Sequence, residues 1–175
     1  MIDTPEFSHI VRLSEIGSKP QTGKLAADAE ERNALALRFD IPKISSMTAT
    51  YKLIAGERGI AFTGSLASDL HQSCAITGEA IPVKIRDEFD ILFVPKPDPG
   101  DLEEEIELTE DECDIVEYEQ AQIDLGEAIA QTLYLSLDPY PRGPDADEVA
   151  RKRGLKSEAE AGPFGALAAL KDKLG

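Results

Sequence analysis

Two cysteines, two histidines and a dense run of carboxylates are the residues of this chain whose chemistry could go beyond packing. Cys74 opens a C-x-x-T segment, with Thr77 where a zinc knuckle would need a second cysteine. Cys113 alone cannot complete the four ligands of a structural zinc site, so both are read as free structural thiols. His9 and His71 stand beside no serine, cysteine or acid at a spacing that forces a catalytic triad. A nucleophilic role for Cys74 would need a positive neighbour to lower its pKa, for which Lys84 and Arg86 are the same-region candidates. "TGSLAS" and "TGEAIP" lack the glycine pattern of a phosphate-binding loop. "DLEEEIELTEDECD" lacks the D-x-D-x-D-G order and closing glutamate of a calcium loop. No catalytic, cofactor-binding or metal-binding residue is therefore assigned, no cofactor is expected, and the chain is expected to work by binding.

The carboxylates are the stronger signal. Of the 34 acidic residues, 15 lie within residues 97–141, a stretch without lysine or arginine, and the formal net charge is −16. Charge confined to one stretch acts as a solvated face or as a means of choosing a partner. Residues 97–119 hold 12 of those 15 acids. Asp101, Glu103, Glu104, Glu105, Glu107, Glu110, Asp111 and Glu112 are therefore the expected contacts for a basic partner. Direct RNA binding by this face is not expected, because phosphate contacts need clustered lysine and arginine. "RKRGLK" (Arg151 to Lys156) is a short basic tract of the kind that usually only solubilises a tail. No apolar run is long enough for a transmembrane helix, and "MIDTPEFSHI" lacks a secretory start, so the expected location is cytoplasmic.

The elements that must carry these residues follow from periodicity. Phe7 to Ile16 reads as an opening strand, and "KLAADAEERNALALRFDI" as a helix from about Ala26 to Phe39. "SMTATYKLIA" and "IAFTGSLASDL", joined by Gly56-Glu57-Arg58-Gly59, read as a β-hairpin. The longest strand is "AIPVKIRDEFDILFVP". It places Val83, Ile85, Asp87, Phe89, Ile91 and Phe93 on one face, with a bulge or two-sided burial near Leu92 and Val94. "CDIVEYEQ" has the period of a short strand. "DLGEAIAQTLYLSLDP" is a helix with a capping-box-like start at Asp124 and Glu127. Its apolar stripe is Leu125, Ile129, Leu133 and Leu137. Arg142 to Ala161 reads as a polar linker. "GPFGALAALKDKL" reads as a terminal amphipathic helix whose Phe164, Leu167 and Leu170 are candidate partner contacts.

This order of segments resembles the YceD family, named for accumulation of large-subunit ribosomal RNA, and in particular its alphaproteobacterial branch. The resemblance spans roughly Phe7 to Leu174. It is carried most specifically by "C-x-x-T-x-E-x-I" from Cys74 to Ile81 and by the helix from Ile123 to Pro141. It implies a non-enzymatic cytoplasmic protein supporting accumulation of 23S rRNA through ribosome assembly. Many relatives carry further cysteines at the place of Thr77 and after the long helix, which suggests metal binding. This chain has Thr77 and "YPRGPDAD" there, so metal binding is not carried over.

The expected architecture is a single α+β domain over residues 1–141. An antiparallel sheet is packed by two main helices, followed by a flexible C-terminal extension, a linker over 142–161 and a short helix over 162–175. The expected partner is a basic ribosomal protein or a pre-50S particle, attracted at long range. The alternative is an acidic protein-binding adaptor unrelated to ribosomes.

Overall fold

The computed structural model describes residues 5–96, 114–119 and 121–155. In chain order the elements are β1 (Ile10–Arg12), β2 (Gln21–Ala26), α1 (Ala29–Arg38), β3 (Lys43–Ala55), β4 (Ile60–Ser73) and β5 (Ala80–Pro95). β6 (Asp114–Tyr118), β7 (Gln122–Asp124), α2 (Leu125–Leu135) and α3 (Ala146–Lys152) follow. The described residues form two compact units, 5–72 with 82–138 and 73–81 with 139–155.

The first unit is the α+β body. Its five-stranded sheet has the order β2-β3-β4-β5-β6, and β1 pairs with β7 in a separate two-stranded sheet. β3 and β4 form the expected hairpin, from Ala55↔Ile60 to Lys43↔His71, with one irregularity between Ile44 and Ser46. Gly59 makes its turn possible. It sits at φ 148°, and a side chain there would strike the Phe93 carbonyl. Alternation along β4 buries Ile60, Phe62, Leu66 and Leu70, which join Leu35 of α1 and Leu125, Ile129 and Leu133 of α2 in one core. Phe62 is its centre, fully buried, with ring centroids 5.6 Å from Tyr51, 4.8 Å from Phe89 and 6.0 Å from Phe93.

Several local expectations change. Between Phe7 and Ile16 only β1 is a strand, and Leu13–Glu15 wind into a 3-10 turn. Ala26 ends β2 and does not start α1. Asp28 caps α1, accepting from the Glu30 and Glu31 N–H groups while the Glu31 side chain accepts from the Asp28 N–H. Asp124 caps α2 in the same way, but Glu127 does not close the box, because Arg38 takes its carboxylate. Near Leu92 and Val94 the two-sided burial expected as the alternative to a bulge is what is found. Both are half-buried, and their register against β6 is continuous. β6 joins in parallel, Ile91↔Asp114 to Pro95↔Tyr118. Parallel neighbours need a connection of a dozen or more residues, and 18 separate Pro95 from Asp114 in the sequence.

One interhelical clamp has a testable consequence. Arg38, in the last turn of α1, donates to both oxygens of Glu127 at 2.8 and 2.7 Å and to Glu6 at 2.9 Å. The guanidinium holds the Glu127 carboxyl below its ordinary 4.5. A carboxyl depressed by folding stabilises the protein above its unfolded pKa, and that contribution is lost as pH falls through the folded value. Glu127→Gln should therefore lower the melting temperature near neutrality, with the difference from wild type shrinking as pH drops below 4.5. A difference independent of pH would show that the contact contributes packing alone.

In the second unit α3 occupies part of the stretch read from composition as a linker. Its first turn is acidic (Asp147, Glu148) and its last basic (Arg151, Lys152), the arrangement that complements a helix dipole. Among the described residues no helix is long and apolar enough to cross a membrane.

Candidate functional site

On the inward-facing parity of β5 the series Val83, Ile85, Phe89, Ile91, Phe93 is interrupted once, by Asp87. Ile85, Phe89, Ile91 and Phe93 are buried, whereas Asp87 is exposed. Its Oδ2 accepts from Ser136 Oγ at 2.6 Å, just past the end of α2, and its Oδ1 accepts from the Glu88 N–H at 2.9 Å. On β4 the inward position Gly64 has no side chain, because a Cβ would overlap the Thr50 carbonyl and the Phe89 ring. An acid and a glycine where bulky apolar residues would otherwise fill the layer leave a cleft of about 770 Å³ between the sheet and the end of α2.

The charge of this cleft is one-sided. Asp87, Glu88, Asp90 and Asp114 line it, with Lys52 as the single base. Among the described residues none of the four carboxylates forms an ion pair. Elsewhere in the same unit acids are matched, as in Arg38–Glu127 and Arg86–Asp69. Unmatched carboxylates exposed to water attract cations over roughly 8 Å at physiological salt. Leu135 also lines the cleft and is 76% exposed, next to Tyr134 at 56%. Acidic walls beside an apolar lip suit the guanidinium or ammonium side chains of a protein partner. Among the described residues that line the cleft there is no thiol or imidazole.

The partner contacts expected from sequence are not among the residues the structure describes. Asp101, Glu103, Glu104, Glu105, Glu107, Glu110, Asp111, Glu112, Phe164, Leu167 and Leu170 all lie outside the described residues. What the structure brings together is Asp114, at the start of β6, with three carboxylates of β5. Sequence reasoning placed Asp87 on the inward face without drawing the consequence. A carboxylate inside an apolar parity series was the available signal.

The second unit contains the cysteine turn. Cys74 is buried, and its backbone closes a tight loop: its N–H donates to Glu79 O, and its carbonyl accepts from the Gly78 N–H, both at 2.8 Å. Ala75 N–H donates to Pro141 O at 2.8 Å, and Gly143 N–H donates to Cys74 Sγ at 3.3 Å. Donation from Gly143, then from Thr77, brings the thiol from 9.0 down to about 7. The two places where the resemblance puts extra cysteines, Thr77 and the segment after α2, therefore do converge on Cys74. One thiol and one hydroxyl are too few donors for a four-coordinate centre, so these residues do not fit a metal. Among the described residues no group of three or more potential ligands is placed to hold one.

Comparison with known proteins gives one match. A family model described as "Large ribosomal RNA subunit accumulation protein YceD" matches residues 62–171, more than half of the chain. No curated protein and no solved structure matches.

Proposed function

Because this chain belongs to the YceD family of large ribosomal RNA subunit accumulation proteins, we propose that it supports accumulation of 23S rRNA as a non-enzymatic, cytoplasmic ribosome-biogenesis factor. It acts by binding a basic ribosomal protein or a pre-50S particle. The observation that carries this reading is the cleft lined by Asp87, Glu88, Asp90 and Asp114, four carboxylates without an ion pair among the described residues, with Lys52 the one base among those that line it. Such a surface repels nucleic acid phosphate and attracts the lysine- and arginine-rich proteins that coat it. Residues 101–112 contribute eight further acids to the net charge of the chain. A chaperone-like grip on a basic protein before it meets rRNA fits this charge, since salt or rRNA would compete the partner away.

Affinity purification of the full chain from cells over a salt series tests the reading. Basic ribosomal proteins or pre-50S particles should be recovered at low salt and lost steeply as salt rises. Recovery of rRNA with no basic protein, or of an unrelated partner set, would favour the alternative of an adaptor outside ribosome assembly.

A further inference from the structure

A different part of the first unit bears on how a basic partner is held. β6 is the last strand of the five-stranded sheet among the described residues. Its β5 side is fully used, from Ile91↔Asp114 to Pro95↔Tyr118. An unpaired strand edge is a template for another strand. Alongside it runs a groove of about 610 Å³ whose floor includes Phe93, Val116, Ile123 and Ala128, with Ile10, 56% exposed, at its lip. Val116 and Tyr118 pack toward the core, while Glu117 and Ile115, the latter 46% exposed, lie on the other parity of the strand.

We propose that β6 is a docking edge at which a basic, alternately apolar segment of the partner protein adds as a further strand. This rests on the reading of a basic protein partner. Two observations select that occupant. A second copy pairing through β6 would bring Asp114 and Glu117 of both chains into one short seam to which the strand contributes no base, and like charges this close repel. An incoming strand with alternating character instead offers apolar side chains to the groove and cations to Glu117. The opposite edge does not share this preference, because β2 carries Lys24 and no acid.

The test uses the full chain and a fluorescein-labelled ten-residue peptide of alternating lysine and valine. Two further versions are N-methylated on all valines or on all lysines. In an extended strand the N–H groups of alternate residues point to opposite edges, so strand addition predicts that one methylated version binds at least tenfold more weakly and the other does not. Glu117→Lys, at an exposed position, should weaken the unmodified peptide at least tenfold. Equal binding of both methylated peptides, or no effect of Glu117→Lys, overturns the docking edge. A dimer of the chain alone that the peptide dissociates overturns the choice of occupant. Purification of basic partners by wild type and by Glu117→Lys separates the two ideas. Equal recovery leaves the general reading standing without the β6 edge. Peptide binding with no basic partner recovered from cells leaves the edge without the ribosomal role.

Discussion

Reversing three carboxylates of the cleft at once, Glu88→Lys, Asp90→Lys and Asp114→Lys, is expected to cut recovery of the basic partner by one to two orders of magnitude. All three side chains are exposed and free of ion pairs among the described residues, so the change acts on the field and hardly on the fold. Surface substitutions away from special features usually alter stability by within about 0.5 kcal/mol. Like-charge juxtaposition at an interface costs several kcal/mol, and 1.4 kcal/mol is tenfold in affinity. Asp87 is left in place because Ser136 depends on it. Two measurements decide the matter: partner recovery at low salt, and its salt dependence, which should flatten in the variant. Unchanged recovery with an unchanged salt slope would remove the cleft from the function.

Phe62→Ala is expected to be the most destabilising single substitution in the body of the protein. Phe62 is fully buried and touches three aromatic rings from β3 and β5. Removing a buried phenylalanine costs about 3–5 kcal/mol through lost transfer energy and the cavity left behind, against a typical total stability of about 5–15 kcal/mol. For a chain of this size that corresponds to a fall in melting temperature on the order of 10 °C. Phe62→Leu, which refills most of the volume, should recover much of the loss. If alanine and leucine destabilise equally, ring stacking matters more than volume. If neither does, the aromatic cluster is not the keystone of the body.

How much of this was legible in the chain depends on whether the deciding interaction was local. The β3–β4 hairpin, the limits of β5 and the buried stripe of α2 follow from periodicity and turn residues alone. The capping box of α1 was equally local, Asp28 followed three residues later by Glu31, and a helix start at Ala26 overlooked it. β2 was not readable in that way. It is short, contains a glycine and is mostly exposed, and its extended form comes from pairing Gln21–Ala26 with β3. The Tyr51 ring covers Gly23 so closely that a Cβ there would collide with it. β1 and β7 are three residues each and are strands only because they meet. The cleft lies between these cases. Its acids are plain in the sequence, but their convergence needed the parallel pairing of β6, which no local pattern announces.

The pairing of Ile10 with Asp124 also sets a timetable for the newborn chain. β3 and β4 can pair as soon as both have left the ribosome, whereas β1 must wait until Gln122 to Asp124 have been made. At about 5–20 residues per second that wait is on the order of 5–20 s. Throughout it, Phe7, buried at 4% exposure in the finished protein, lacks Ile123, Leu125, Ile129 and Leu133 of the core it joins. Contacts this distant in sequence also slow the final closure. A protein placed by its family in ribosome production thus completes its own body late in synthesis, and a chain stopped before residue 122 would expose its first dozen residues to proteases.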